Sequence, residues 1–283
     1  ESDLKLTFIG PGVMAEAMIT GLIRTGLAQP EQMTAAGPRA ERGEELRGRY
    51  GIRVSINNAE AAAGADVVLL TVKPQKLEKV LAGMRGMIKP QALVLSIVAG
   101  ATIQSIAQRL NHPNVVRAMP NTPAQIGEGI TVWTASAQVT QPHLELARQI
   151  LGALGDEIYV EEESYLDMAT ALSGTGPAYV FLFLEALIDG GVHLGLPRRI
   201  AEQLVVKTIN GSVAFYVHNK THPAALRNQV TSPGGTSAAA LYYLEKAGFR
   251  TALSRAIWAA FERSQELGKG GASKTPEPQN KAE

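Results

Sequence analysis

The sequence predicts an α/β protein in which a domain of alternating strands and helices precedes an all-helical domain. Short apolar runs rich in β-branched residues alternate with helical patterns through the first half of the chain, and this alternation is typical of parallel βαβ units with right-handed crossovers. After about Glu163 the pattern becomes almost wholly helical. A length of 283 residues also favours two domains over one large core.

Each predicted element follows from its own apolar pattern. The predicted strands are Lys5–Ile9, Met33–Ala36, Asp66–Val72, Leu93–Val98, Val115–Met119, Ile130–Thr134 and Glu157–Val160. The helices predicted among them are Met14–Thr25, Ala40–Tyr50, Leu77–Met84, Ile103–Leu110 and His143–Leu154. The helices predicted after them are Leu166–Leu172, Ala178–Leu194, Arg198–Tyr216, Pro223–Gln229, Thr236–Lys246 and Phe249–Leu267. We therefore expect domains over residues 1–163 and 164–268, and a disordered tail over 269–283.

Composition limits the classes of function. The formal net charge of +1 gives no electrostatic case for nucleic acid or a membrane surface as a partner. The chain has no cysteine, which excludes disulfides and thiolate catalysis, and its five histidines lack metal-ligand spacing, so we expect no metal site. The most apolar stretch, Ala178–Leu184, is followed by Glu185 and Asp189 and is expected to be too short to span a bilayer. Because no N-terminal signal pattern is present, the expected location is the cytoplasm.

The first strand-to-helix turn carries a dinucleotide-binding fingerprint. Gly10, Gly12 and Ala15 fit the pattern G-x-G-x-x-G/A directly after the strand that ends at Ile9. In that pattern the first glycine allows a tight turn, the second lets the backbone approach a pyrophosphate, and the small third residue lets the helix lie close to the strand. The helix N-terminus adds free N–H groups and a positive dipole end. An ordinary turn is the alternative, but the start of a βαβ pattern favours a Rossmann domain that binds NAD(P).

The end of the second predicted strand favours NADPH over NADH. NAD-binding domains place an acidic residue there, and it accepts from the ribose 2′-OH. This chain has no Asp or Glu at that strand end, whereas Arg39 follows it and Arg42 comes one turn later. A guanidinium accepts a 2′-phosphate that a carboxylate would repel. The alternative is that Arg39 and Arg42 are solvated residues at a helix start.

Loops at the carboxyl ends of the other strands are expected to complete the cofactor site, because open α/β sheets bind ligands there. Two of these strands end with Thr71, Val72, Lys73 and Pro74 and with Val98, Ala99 and Gly100. Lys73 is a candidate contact for ribose or phosphate, and capping of the sheet edge is the alternative. Met119–Pro123 is a rigid turn that we expect to fix the nicotinamide or the domain interface.

The predicted helix Ala178–Leu194 is apolar on nearly every face, which indicates complete burial. A small helical domain has little interior to cover such a helix. We therefore favour coverage by a second subunit over burial within the monomer.

A second glycine-rich loop, Thr231–Ser237, precedes another predicted helix. It combines a Pro-Gly-Gly turn with four hydroxyl side chains in front of a helix N-terminus, which predicts a nest for a small anion such as a carboxylate. The plainer alternative is that Thr236 and Ser237 are N-cap residues of that helix.

From Leu4 to about Leu267 the chain resembles the pyrroline-5-carboxylate reductase family. The resemblance rests on IGPGVMAEA (Ile9–Ala17), VKP (Val72–Pro74), MPNTP (Met119–Pro123), SGTGPAY (Ser173–Tyr179), DGGVHLGLPR (Asp189–Arg198) and TSPGGTS (Thr231–Ser237). Thr175 stands where family members typically have serine. The resemblance implies hydride transfer from NAD(P)H to the cyclic imine Δ1-pyrroline-5-carboxylate, which gives L-proline. It also implies a dimer with interleaved helices, which often assembles further into decamers.

The resemblance also implies individual site residues. The implied cofactor contacts are Gly10, Pro11, Gly12, Val13, Met14, Asn58, Thr71 to Pro74 and the Ile97–Gly100 loop. The substrate carboxylate is expected on the N–H groups of Gly235, Thr236 and Ser237, in a pocket to which Thr231, Ser232 and Gln229 also contribute. Ser237 matches a position whose hydroxyl is proposed to bond the substrate nitrogen and donate a proton, so Ser237 and Thr236 are the catalytic candidates. Glu162 or Glu163 is a further candidate for this pocket, with a solvated acidic loop as the alternative.

Two other functions fit the same fold. A β-hydroxyacid dehydrogenase, or an imine reductase for other substrates, has a similar architecture. The hydroxyacid enzymes normally place an asparagine one turn before their acid/base lysine, whereas here Gln203 precedes Lys207. A non-catalytic NADP-binding protein is the other candidate, and the intact TSPGGTS loop argues against it.

Overall fold

The computed structural model describes residues 4–269, which include one eight-stranded sheet. The strands are β1 (Leu6–Ile9), β2 (Met33–Ala36), β3 (Arg53–Ser55), β4 (Val67–Leu70), β5 (Leu93–Ser96), β6 (Val115–Met119), β7 (Gly129–Ala135) and β8 (Gly155–Tyr159). Their order in the sheet is β3-β2-β1-β4-β5-β6-β7-β8. Neighbouring strands are parallel, except that β6 and β7 pair antiparallel.

Twelve α-helices are described in this part of the chain. Those between or directly after the strands are α1 (Val13–Thr25), α2 (Ala40–Tyr50), α3 (Asn58–Ala63), α4 (Pro74–Met84), α5 (Ile103–Leu110), α6 (Gln141–Gly152) and α7 (Tyr165–Ala169). The later helices are α8 (Gly176–His193), α9 (Arg198–Asn219), α10 (Pro223–Gln229), α11 (Thr236–Lys246) and α12 (Phe249–Gly268). Short 3₁₀ segments cover Pro30–Gln32 and Thr122–Ile126, and a π-helical segment covers Thr170–Gly174.

The chain reverses its direction across the sheet at β1. It leaves β1 for β2 and β3 on one side and returns to form β4 on the other side. Ile9 at the end of β1 pairs with Ala36 of β2 and with Leu70 of β4, so these three strands end at one level. In an open α/β sheet, ligands bind in the crevice at such a reversal.

The core consists of two apolar clusters on the two faces of the sheet. Successive strand residues point to opposite faces, so Phe8 and Leu69 belong to one cluster and Ile9 and Leu70 to the other. Because both faces are covered, the strands read in sequence as continuous apolar runs. These runs made the strands predictable: all seven predicted strands are present, with ends shifted by at most two residues. The predicted α/β fold class is confirmed.

Two short elements escaped the sequence prediction. The strand β3 has only three residues, of which Arg53 is exposed, so it lacks an apolar run. The helix α3 has six residues and is too short for a helical period to show. The antiparallel pairing of β6 with β7 also differs from the expected parallel order.

Two compact units divide the described chain. The first comprises residues up to Thr175 and returns at Ala260, and the second covers Gly176–Ala259. The first unit therefore continues beyond the boundary expected at residue 163, because α7 and the end of α12 pack on the sheet domain. The predicted boundary between domains stays a prediction, and the predicted tail, apart from Lys269, lies outside the described residues.

The second unit leaves its apolar side chains uncovered. Among residues 176–259, Ala201 is the one buried residue. On α8 the exposed fractions of Phe181 and Leu182 are 59% and 67%. Burial of α8 within the monomer is therefore excluded for this conformation, whereas coverage by a second subunit remains in agreement with it.

The stretch from Tyr165 to His193 comprises α7, the π-helical segment and α8, with a bend at Thr175. Taken as one helix of 29 residues, this stretch is long and apolar enough to pass a length and composition test for a membrane span, with a mean hydropathy of 1.5 over an 18-residue window. Length and composition do not distinguish a membrane span from a helix that another subunit covers.

A buried arginine holds four segments of the first unit together. Arg117 of β6 is 2% exposed and donates to Glu163 Oε1 at 3.0 Å and to Asp167 Oδ1 at 2.9 Å. The same Glu163 oxygen accepts from Ile103 N at the start of α5, and Asp167 also accepts from Ser264 Oγ of α12. Glu163 is thus bound to the sheet and to α5 through its Oε1, and its substrate contact stays a prediction.

We expect Arg117→Met to lower the free energy of unfolding by about 3 kcal/mol, because it leaves two carboxylates without their cation. Urea unfolding followed by circular dichroism measures this change. The control is Arg109→Ala, which removes an exposed ion pair with Glu78 and should cost less than about 0.5 kcal/mol. Equal small losses in both variants would show that the buried network does not stabilise the unit.

Candidate functional site

The turn between β1 and α1 has the geometry of a phosphate-binding turn. Gly10 has φ +97°, and a Cβ there would lie 2.6 Å from Val72 Cγ1, so only glycine fits. Gly12 is the N-cap of α1 and has no side-chain cap, and a Cβ on it would meet nothing within 4 Å. Open space therefore lies before the first-turn N–H groups of Val13 and Met14. A pyrophosphate fits such a cradle of free N–H groups.

The carbonyl groups of the same turn are bound by side chains. Thr71 Oγ1 lies 3.0 Å from Ile9 O and 2.7 Å from Gly10 O, so its proton is shared between these two carbonyls. Arg42 Nε donates to Pro11 O at 3.0 Å. Because an anion is repelled by carbonyl oxygens, tying them back leaves the N–H groups as the polar face of the turn. Thr71 thus supports the turn with its hydroxyl.

Arg42 and Glu16 form the centre of a polar cluster beside this turn. Glu16 accepts from Arg42 at 2.6 Å, from Tyr50 Oη at 2.6 Å and from Arg49 at 2.9 Å. Burial raises the pKa of Glu16, but the hydrogen bonds from Tyr50, Arg42 and Arg49 outweigh it and lower the pKa to about 2. Glu16 is therefore ionised at any pH near neutrality, and it forms an ion pair with Arg42.

An open cavity of about 390 Å³ lies at the end of β2, where the sequence placed the adenosine end of a dinucleotide. Its lining includes Gly37, Arg39, Arg47 and Ser55. Arg39 is exposed, and among the described residues no hydrogen bond or ion pair engages its guanidinium. Arg47 pairs with Glu44 at the same cavity. Of the two arginines that the sequence singled out, Arg39 is available to a 2′-phosphate, whereas Arg42 is paired with two carboxylates.

Asn58 carries a buried polar atom without a partner. Its Oδ1 is inaccessible to solvent and makes no hydrogen bond. The cap of α3 is the preceding residue, Asn57, whose Oδ1 accepts from Glu60 N at 3.2 Å. Asn58 is therefore the first residue of α3 and not its cap. An unsatisfied buried acceptor is uncommon and fits a ligand donor such as a ribose hydroxyl.

The loops after β4 and β5 offer mainly backbone groups. Lys73 is exposed at the N-cap of α4, with Pro74 at the first helical position. Val98 and Gly100 are buried, and a Cβ on Gly100 would lie 2.6 Å from Ser264 O at the end of α12. Side-chain contact between Val98 and a cofactor does not fit this burial. The cofactor roles of these loops stay predictions.

The second glycine-rich loop is described by itself, since it belongs to the second unit. Gly234 has φ +73° and Gly235 is the N-cap of α11, so Thr236 and Ser237 are the first helical residues and not its caps. Gly235 N donates to Ser232 O at 3.1 Å, which leaves the N–H groups of Thr236 and Ser237 as the free donors. The Thr231 hydroxyl donates to Arg227 O at 2.7 Å. Gln229 is exposed at the end of α10.

The SGTGPAY motif begins on the π-helical segment. Ser173 Oγ donates to Ala169 O at 3.0 Å, and Thr175 Oγ1 donates to Thr170 O at 2.8 Å. A Cβ on Gly174 would lie 3.2 Å from Met119 Sδ, so this motif meets the first residue of MPNTP. Single π-helical turns are frequent at functional sites.

Three features of the first site were not predicted from the sequence: the Arg42–Glu16 pair, the position of Arg47 and Ser55 at the cavity, and the proximity of Gly37 to Pro11. A Cβ on Gly37 would lie 2.6 Å from Pro11 Cδ. A glycine that directly follows β2 was a local signal for this close approach. No local signal marked Pro11 and Glu16 as partners of Arg42.

Two family models match the chain, one in each half. The model described as pyrroline-5-carboxylate reductase dimerisation matches residues 163–267, and the model described as NADP oxidoreductase, coenzyme F420-dependent, matches residues 5–100. The pyrroline-5-carboxylate reductase of Synechocystis sp. is 44% identical over 94% of this chain and 99% of its own length. The corresponding reductase of Pseudomonas aeruginosa is 40% identical over 94% of this chain and 97% of its own length.

A solved structure gives the same result for the fold. The Plasmodium falciparum pyrroline carboxylate reductase with NADP bound has a TM-score of 0.87 and 32% identity, and the match covers 94% of this chain and 98% of that chain. Prephenate dehydrogenase from Aquifex aeolicus has a TM-score of 0.55 at 14% identity, which shows the general fold alone.

We expect Glu16→Gln to remove acid-sensitive stability. The pKa of Glu16 is lowered from 4.5 to about 2 in the fold, so its ionised form stabilises the folded state. This contribution, on the order of 2 kcal/mol, is present above about pH 5 and is lost as the pH falls towards 2. Urea unfolding from pH 7 down to pH 2 should therefore show wild type and variant converging. The exposed Glu78→Gln is the control, and a gap that stays constant with pH would contradict the assignment.

Proposed function

Because the chain belongs to the pyrroline-5-carboxylate reductase family, we propose that it reduces the cyclic imine Δ1-pyrroline-5-carboxylate to L-proline with NADPH or NADH. The observation that carries the proposal is the phosphate-binding turn at Gly10–Gly12, in a chain that reductases of this name match over almost its whole length. Oxidation of NADPH by the purified protein, measured with this imine and with its six-membered homologue, tests it. Absence of NADPH oxidation with the five-membered imine would overturn the proposal.

The chemistry asks for positioning more than for a strong acid. The imine nitrogen can be protonated in solution, and the iminium carbon that results accepts hydride readily. NAD(P)H, when bound, supplies that hydride. The residues of this chain therefore need to hold the substrate by its carboxylate, orient the imine carbon and exclude water.

We place the substrate carboxylate at the start of α11. The free N–H groups of Thr236 and Ser237, at the positive end of the helix dipole, suit a carboxylate. Gly235, whose Cβ would lie 2.7 Å from Ser232 Oγ, shapes the turn, and Thr231 fixes it to α10 through Arg227. Gln229 and Ser232 are exposed there and complete the proposed pocket.

The Ser237 hydroxyl is proposed to hydrogen-bond the substrate nitrogen and to protonate a substrate that binds as the neutral imine. We expect Ser237→Ala to lower kcat/KM for the imine about ten-fold or more, because a charge-assisted hydrogen bond is lost. The KM for NADPH should not change. Steady-state kinetics measure both constants, and Ser254→Ala, an exposed serine on α12, is the control. Full activity of Ser237→Ala would restrict this loop to binding or remove it from the site.

Arg39 is proposed to give a preference for NADPH over NADH. It is unpaired at the cavity beyond β2, and no carboxylate follows that strand directly. We expect Arg39→Ala to raise the KM for NADPH about ten-fold or more and to leave the KM for NADH unchanged, since only NADPH has a 2′-phosphate. Kinetics with both cofactors measure the ratio, with Arg109→Ala as the control. An unchanged ratio would contradict the role of Arg39.

Self-association is proposed to cover the apolar face of the second unit. Val180, Phe181 and Leu182 are each about half exposed or more on α8, within the segment that the dimerisation model matches. Contiguous exposed apolar surface of this kind marks an interface. We propose a dimer as the basic unit, its further assembly into a decamer, and action in the cytoplasm. The family resemblance supports the decamer.

A further inference from the structure

Arg42 joins the phosphate-binding turn to an acidic cluster on the outer side of α1. Its Nε donates to Pro11 O at 3.0 Å, and its two terminal nitrogens lie 2.6 Å from Glu16 Oε2 and 2.8 Å from Glu45 Oε2. All three guanidinium nitrogens are thus used. The side chain is 17% exposed, so it has little surface left for another anion.

The partner of Arg42 is itself held from two further directions. Glu16 Oε1 accepts from Tyr50 Oη at 2.6 Å and from Arg49 at 2.9 Å. Both residues lie on the last turn of α2, whereas Arg42 lies on its first half. Glu16 on α1 therefore fixes the guanidinium of Arg42 at the height of Pro11.

We propose that Arg42 is a positioning residue for the pyrophosphate turn and not a ligand of the cofactor's 2′-phosphate. The inference rests on the proposed use of a nicotinamide dinucleotide. By holding the Pro11 carbonyl, Arg42 keeps the acceptor of the peptide between Pro11 and Gly12 turned away from the space in front of α1. Thr71 does the same for Ile9 and Gly10 from the side of β4.

This assignment separates the roles of two arginines that lie three positions apart. Arg39 faces the cavity and is unpaired, so its loss should affect only ligands with a 2′-phosphate. Arg42 acts on the turn, so its loss should affect every ligand with a pyrophosphate, whether or not a 2′-phosphate is present. Equilibrium binding distinguishes the two without any turnover.

The test is the Kd of the full-length protein for NADP⁺, NAD⁺ and adenosine 2′-phosphate, measured by calorimetry or by displacement. For Arg42→Met, which keeps much of the apolar stem and removes the donors, we expect about ten-fold weaker binding of both NADP⁺ and NAD⁺. Binding of adenosine 2′-phosphate, which has no pyrophosphate, should stay within two-fold or so of wild type. Glu16→Gln should give the same pattern with a smaller loss, and Arg109→Ala should bind like wild type.

Each other outcome overturns the inference. A loss for NADP⁺ and adenosine 2′-phosphate with unchanged NAD⁺ binding would make Arg42 a direct ligand of the 2′-phosphate. Unchanged binding of all three ligands would make the cluster purely structural. Circular dichroism of each variant identifies a general loss of folding. If Arg42→Met does not fold, the conservative Arg42→Lys, which keeps the charge but not the Nε donor, must show weaker binding of NADP⁺ and NAD⁺ and unchanged binding of adenosine 2′-phosphate. Failure to reduce the imine would contradict the proposed function but not this pattern of binding.

Discussion

The close approach of Gly10 to Val72 is the constraint on which the first unit depends. β1 lies at the reversal point of the sheet and pairs with both β2 and β4, so the chain that leaves it has to turn in the narrow space between two other strand ends. Any side chain at Gly10 would overlap Val72 and separate the turn from β4. With that contact made, Thr71 reaches the Ile9 and Gly10 carbonyls, α1 begins at Val13, and Glu16 lies within reach of α2. The turn, the start of α1 and the position of Glu16 in the polar cluster thus all depend on one close contact.

Much of this fold could be predicted because parallel strands covered on both faces read as continuous apolar runs. Phe8 and Ile9, or Leu69 and Leu70, are apolar neighbours that point to opposite clusters. The edge strand β3 gave no such signal, since Arg53 is exposed. The antiparallel β7 could have been predicted as well. The segment between Met119 and Gly129 contains only a 3₁₀ turn and is too short for the helical crossover that a parallel strand requires.

In the candidate site, too, the features set by residues close in sequence could be predicted, and those set by residues far apart in sequence could not. The glycine positions and the dipole of α1 follow from residues that are close in sequence, and the sequence predicted them. Two partners of Arg42, Pro11 and Glu16, lie on the turn before α1 and on α1 itself, far from Arg42 in sequence, so nothing near Arg42 could reveal them; Glu45, three positions further on, is its local partner. The bonds from Gly235 to Ser232 and from Thr231 to Arg227 are more local. They depend, however, on how tightly the Pro-Gly-Gly turn closes, which composition does not determine.

The scarcity of buried residues in the second unit has a thermodynamic consequence. With Ala201 as the one buried residue between Gly176 and Ala259, this part of a lone chain hides too little apolar area to offset the conformational entropy of ordering five helices. Its folding free energy is then tied by mass action to the encounter of chains. Dilution of such a protein therefore lowers the stability of its helical unit. The sheet domain, whose core is closed within one chain, can keep its structure at concentrations where the helices have already begun to open.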